Sequence, residues 1–306
     1  MPERKLTLQC DFRCRFAEWN RYRERAVQKY RLREHSHPTS IMRMIATALV
    51  TAGVAMASMP AVAQTAAVNA APVRNIVLVH GAFVDASSWS RVIEILQDKG
   101  YTVTAVQNPL TSLHDDEVAV RRVLERQSGP TVLVGYSWAG MPITEVGADA
   151  KITALVYVAA LAPDVGESVH DLQKHTVAQA TMPGLKAVTE DRYGNYLMDP
   201  AGYRQALAHD TPEKVVRVMA ASQLPMSIDA FDDKVAVAAW HSKPSWYAVS
   251  TRDQIVDPAL QEWMAQRIKA RVVRIPSGHA SILSHPDTVA AMIEDAAQHS
   301  GPTAAK

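Results

Sequence analysis

Cysteine is almost missing from this 306-residue chain, which has only Cys10 and Cys14. So few cysteines exclude a disulfide-stapled scaffold and a cysteine-ligated zinc or iron–sulfur framework. Neither sign of charge is in excess, with 32 Lys and Arg against 31 Asp and Glu. A balanced chain that is 48% apolar is not broadly disordered and has enough apolar side chains for a packed core. Internal repeats are missing as well. Residues 64–306 also hold no metal-ligand cluster, no phosphate-cradling glycine loop and no basic aromatic stripe. No metal, no cofactor and no nucleic-acid partner is therefore expected.

The charge balance conceals an uneven distribution. Residues 1–41 hold ten Lys and Arg against five Asp and Glu, together with both cysteines. This segment reads as a redox or metal CxxxC element, as a run that binds nucleic acid or acidic lipid, or as an extension ahead of the true start. Met42 favours the last of these. It is followed by Arg43, the apolar run 45–57, Pro60 and Ala61-Val-Ala63, the order of an export signal over 42–63 with an A-x-A cleavage site. The run is short and rich in Ala, Thr and Gly, which makes a retained membrane anchor the weaker alternative. No twin-arginine pair precedes it, so the general export route is expected. Cleavage after Ala63 leaves 243 residues without cysteine, carrying 21 basic and 26 acidic side chains. A periplasmic or secreted protein without free thiols suits an oxidising compartment.

Residues 64–73 form a small-residue linker, after which strand-like and helix-like runs alternate. Strands are expected at 75–80, 101–107, 131–136, 152–159, 245–250 and 271–275. Helices are expected at 89–98, 112–127, 258–268 and 286–298. Continuous Val/Ile/Leu runs mark strands buried on both faces, as in a parallel sheet covered by helices. Residues 163–240 interrupt the rhythm with five prolines and helix-like pieces near 201–209 and 212–222. The prediction is an α/β fold with a doubly wound, mostly parallel sheet built from 74–162 and 241–300. A small helical cap, 163–240, is inserted after the fourth strand.

The third strand runs into Gly135-Tyr-Ser137-Trp-Ala139-Gly140 and then a helix. A nucleophile elbow needs this arrangement, with small residues two before and two after the serine. The blander reading is a βα turn capped by Ser137. A serine hydroxyl needs a base. His279 follows the last strand, where a parallel sheet delivers loop residues to its carboxyl edge. His285, ahead of Pro286, reads as a helix cap; His114, His170, His175, His209, His241 and His299 fall on helix, loop, cap or tail. Asp253 follows the penultimate strand and suits the acid that orients the base. Asp257 precedes Pro258 and reads as an N-cap, and Asp164 after the fourth strand is a second rival. The first strand ends in His80-Gly-Ala82-Phe83, a turn placed to offer a backbone N–H toward the elbow, with the Trp138 N–H as second oxyanion donor; the blander reading is a simple strand-end turn.

Five stretches, 78–89, 133–140, 157–168, 250–258 and 277–286, together resemble the α/β-hydrolase superfamily. The branch is that of plant methyl-ester esterases, hydroxynitrile lyases and bacterial pyrethroid-hydrolase-type carboxylesterases. The resemblance implies a Ser137–Asp253–His279 triad, an oxyanion hole at Ala82 and Trp138, and a cap over the pocket. Lyases of that branch have threonine where Gly81 stands and lysine where Ala280 stands, so cyanide release is disfavoured. Ser137 argues against the aspartate nucleophile of epoxide hydrolases and dehalogenases. The expected activity is hydrolysis of small to medium apolar carboxylic esters, in a pocket near Phe83, Met182, Leu185 and Met226. Those Met and Leu residues also read simply as cap core. A ligand-binding protein on the same fold, a cofactor-free perhydrolase and an amidase stay open.

Overall fold

Apolar runs and turn residues organise the chain into alternating strands and helices in a computed structural model that describes residues 73–175 and 183–300. The basic segment 1–41, the segment 42–63 expected to be an export signal, Met182 and most of the linker lie outside the described residues. The core strands are β1 (Asn75–Val79), β2 (Thr102–Val106), β3 (Thr131–Tyr136) and β4 (Ile152–Val158), followed later by β8 (Ser245–Ser250) and β9 (Arg271–Ile275). They form one six-stranded sheet of order β2-β1-β3-β4-β8-β9, with every pair parallel. β1, β3 and β8 are buried throughout, whereas the edge strands β2 and β9 keep exposed positions. Each buried Val, Leu or Ile contributes roughly 1.5–3 kcal/mol, so the central strands pin the register.

The helices are α1 (Ser90–Asp98), α2 (Leu113–Glu125), α3 (Gly140–Val146), α4 (Val169–Gln173), α5 (Glu213–Ala221), α6 (Pro258–Arg267) and α7 (Pro286–His299). Their ends follow local chemistry. Ser112 Oγ accepts the Asp115 N–H at the start of α2, and Asp257 accepts the Ala259 N–H ahead of Pro258 in α6. α1 packs with α7, and α2 with α3, against the sheet.

The insert between β4 and β8 is not wholly helical as expected. It carries an antiparallel three-stranded sheet of β5 (Val188–Glu190), β6 (Asn195–Met198) and β7 (Met226–Ser227). Local turn chemistry is the reason. Asp191 Oδ1 accepts the N–H groups of Tyr193 and Asn195, and Gly194 takes a φ of 79°, closing the β5–β6 hairpin. The insert also contains a π-helical turn at Tyr203–Leu207.

Candidate active site

Because the core strands are parallel, their carboxyl ends share one edge. That edge presents His80–Phe83 after β1, Ser137 after β3, Asp253 after β8 and His279 after β9. Backbone strain gathers there. Phe83, Leu110, Ser137 and Ala159 have left-handed φ values of 63°, 61°, 57° and 44°, each just beyond a strand of this sheet.

The elbow shows why its neighbours are small. A Cβ on Gly135 would lie 2.8 Å from Ala139 O, and one on Gly140 would lie 1.7 Å from Leu161 O. Ala139 is accommodated at the place where glycine is the commoner residue, and the close approach falls one position later. A Cβ on Gly81 would sit 2.7 Å from Ser137 Cβ, so the turn after β1 runs directly against the elbow.

Ser137, His279 and Asp253 are brought together. Ser137 Oγ–H donates to His279 Nε2 at 2.8 Å, and His279 Nδ1–H donates to Asp253 Oδ2 at 2.6 Å. A carboxylate can only accept, which fixes the imidazole proton on Nδ1 and leaves Nε2 free to take the serine proton. Ser137 and His279 line the cavity while the Asp253 side chain is fully buried, so the relay opens to the exterior at the serine end. Asp253 Oδ1 accepts the N–H groups of Ile255 at 2.7 Å and Val256 at 3.0 Å. The rivals are occupied elsewhere: Asp257 caps α6, and Asp164 pairs with His241 at 2.9 Å. His285 stands at the N-cap of α7.

Sequence reasoning missed Gln261. Fully buried on α6, it donates from Nε2 to Asp253 Oδ2 at 2.7 Å and to Val256 O at 2.8 Å, and its Oε1 accepts the Ser250 N–H at 2.9 Å. All three of these bonds go to the end of β8 and the acid loop that follows it. The available signal was a polar residue beside the apolar stripe Leu260 and Met264.

A second buried network underlies the turn after β1 and the elbow. Asp116 accepts from Trp138 Nε1 at 2.7 Å, Leu110 N at 2.8 Å and Asn108 Nδ2 at 3.0 Å. Asn108 Nδ2 also reaches His80 O at 3.3 Å. Burial raises the Asp116 pKa, and the Trp138, Asn108 and Leu110 donors oppose that rise. Burial lowers the His80 pKa, keeping that ring neutral. Trp138→Phe removes one donor from the buried carboxylate and is expected to cost about 1–3 kcal/mol of stability at neutral pH. The lost bond matters most to the ionised form. Denaturant unfolding should therefore show the gap to wild type shrinking as pH falls through the raised Asp116 pKa; a pH-independent gap refutes the account.

A cavity of about 600 Å³ opens over Ser137 and His279, lined by Ala82, Phe83 and Trp138 and by apolar side chains such as Leu161, Tyr196 and Leu260. Phe231 closes it with Trp138 at 5.9 Å and Tyr196 edge-on at 5.5 Å. Among the described residues that line it there is no Lys or Arg. Phe83 is where sequence placed it. Met226 is not: opposite Tyr196 in the cap sheet, it is sealed in the core at 0% exposure, and Tyr196 and Phe231 form the wall there instead. Leu185 lies in the turn Pro183–Ala187, and its side chain is outside the described set, as is Met182. Among the described residues no group of His, Cys, Asp or Glu is placed to hold a metal.

Comparison with known proteins agrees with this architecture. The chain is similar to an alpha/beta hydrolase of Aspergillus novofumigatus, 27% identical over 244 residues, which are 72% of this chain and 96% of that protein. It superposes on a pyrethroid hydrolase from Sphingobium faniae JZ-2 with a TM-score of 0.64 at 21% identity, covering 74% of this chain and 98% of the other. Polyneuridine aldehyde esterase gives a TM-score of 0.63 at 20% identity, covering 73% and 98%. A model of the alpha/beta hydrolase family matches residues 76–292, and the chain belongs to that family.

Proposed function

We propose that this hydrolase is a serine carboxylesterase acting on neutral, apolar carboxylic esters of small to medium size. The observation that carries the reading is the relay of 2.8 Å and 2.6 Å from Ser137 through His279 to Asp253, opening into an apolar cavity. Among the described residues the lining has no Lys or Arg and includes Asp257, which suits an uncharged ester over a carboxylate-bearing one. A cavity of about 600 Å³ is in the ordinary size range for a small-molecule ligand.

In the first half-reaction His279 Nε2 takes the Ser137 proton as Oγ attacks the ester carbonyl. Negative charge on the tetrahedral oxygen is held by the backbone N–H groups of Ala82 and Trp138. The C–O bond to the alcohol breaks, and His279 returns its proton to the leaving oxygen. Water then attacks the acyl-serine by the same route, giving the acid and free Ser137. Asp253 keeps the imidazole in the productive tautomer and stabilises its charged form.

A neutral fluorophosphonate tests the reading, since it labels only an activated serine. Stoichiometric labelling that maps to the Ser137 peptide is the expected result. No labelling, or labelling elsewhere, overturns the reading. The proposal includes export on residues 42–63, for which the N-terminus of periplasmic protein should begin near Gln64 and a start at residue 1 counts against it.

A further inference from the structure

Four segments carry the groups assigned to the reaction, and the cap is hydrogen-bonded to three of them, all but the elbow. In the turn after β1, Phe83 O accepts from the buried Tyr203 hydroxyl at 3.1 Å. In the histidine loop, Gly278 N–H donates to Asp210 Oδ2 at 2.8 Å and Ala280 N–H donates to Leu207 O at 3.0 Å, one on each side of His279. In the acid loop, Gln254 O accepts the Gly184 N–H at 3.0 Å. All but the last of these contacts come from one short segment, 203–210.

That segment is unusual in itself. It begins with the π-helical turn Tyr203–Leu207, a form that is rare and frequent at functional sites. It is packed without slack, since a Cβ on Gly278 would lie 2.4 Å from the His209 ring. Tyr136, next to the nucleophile, stands with its ring 5.1 Å from that of His279. Burial, followed by the charge of Asp253 and the neighbours Tyr203 and Asp210, raises the Tyr136 pKa well above its ordinary value. The Tyr136 hydroxyl therefore stays protonated. It and Asp210 Oδ1 are buried polar atoms without a hydrogen bond among the described residues.

We propose that Tyr203 and Asp210 are positioning residues: one cap segment holds the oxyanion turn at its first residue and the His279 loop at its last. The inference rests on the esterase reading above. Neither side chain touches the reacting atoms. Each holds backbone that must stay fixed relative to Ser137, because a displacement near 1 Å is worth about a hundredfold in rate. The cap is then no free lid. Lifting segment 203–210 breaks the bonds that keep the Ala82 donor and the His279 acceptor aligned, so covering the substrate and assembling the site are one event.

The test compares Tyr203→Phe, Asp210→Ala and Asp210→Asn with wild type. It measures kcat and KM on p-nitrophenyl esters, the second-order rate of Ser137 phosphonylation by a fluorophosphonate, and thermal unfolding. Tyr203→Phe and Asp210→Ala should each lower kcat and the phosphonylation rate by about tenfold to a hundredfold, with KM changed by less than about threefold. Asp210→Asn keeps a side-chain acceptor for the Gly278 N–H and should recover most of the rate. Folded variants that phosphonylate at the wild-type rate overturn the proposal while leaving the esterase reading intact. An Asp210→Asn protein as slow as Asp210→Ala overturns the assignment of Asp210. Wild type that is not phosphonylated removes the esterase reading and this proposal with it. If Asp210→Ala does not fold, Tyr203→Phe decides alone, since it removes a single hydroxyl and keeps the ring.

Discussion

Replacement of Ser137 by Ala is expected to lower kcat on p-nitrophenyl esters by about ten-thousandfold or more, with substrate binding nearly unchanged. The change removes one oxygen from a residue that is 8% exposed at the open end of the relay. It leaves the Ala82 and Trp138 backbone, the cavity wall and the His279–Asp253 pair in place. Ala meets the same left-handed φ of 57° that Ser137 already adopts, so the elbow is strained to a similar degree in both proteins. Unfolding midpoints should therefore differ little, separating a chemical loss from a structural one. What survives is the modest acceleration that oxyanion donors and orientation supply without a nucleophile. Turnover equal to wild type would mean that the hydrolysed bond is attacked from elsewhere, and the assignment of Ser137 would fail.

How well the chain declares this site depends on the range of the interaction that defines each part. The sheet was legible because burial on both faces is written into continuous runs such as 76–79 and 132–134, all buried here. Ser137 was legible because the elbow imposes a local steric rule, and Asp253 because Asp257 had a better local explanation ahead of Pro258. Residues defined only by distant partners were not legible. Gln261 is an unremarkable helix residue until α6 folds back and brings it to Asp253, and Tyr203 reaches Phe83 across 120 positions of sequence. The cap misled for the same reason. Its short strands pair through few residues, so neither β7 nor the burial of Met226 leaves a periodic trace. The turn chemistry at Asp191 and Gly194 was local, and it marked the hairpin that a helical reading passed over.

Asp253→Asn is the more informative of the two severe substitutions, because its effect depends on which way the new amide faces. Asp253 Oδ1 accepts two backbone N–H groups, from Ile255 and Val256, and Oδ2 accepts two further donors, His279 Nδ1–H and Gln261 Nε2–H. An asparagine that keeps its oxygen toward His279 aims an NH₂ at two backbone donors, leaving both unpaired at about 1–3 kcal/mol each. The opposite orientation satisfies both backbone donors and opposes only Gln261, whose own Oε1 is held by the Ser250 N–H. The second arrangement leaves fewer conflicts and should prevail. It offers His279 a donor where a carboxylate stood, so Nδ1 becomes the acceptor and the ring proton moves to Nε2. That nitrogen then faces Ser137 Oγ as a donor and cannot take its proton. The expected result is a loss of about ten-thousandfold in kcat with the protein folded, accompanied by slow fluorophosphonate labelling of Ser137. Nitrogen-15 NMR of the histidines should show the His279 proton on Nε2 instead of Nδ1. A loss smaller than about tenfold, with the tautomer unchanged, would mean that Asp253 does not orient the base and would return Asp257 or Asp164 to consideration.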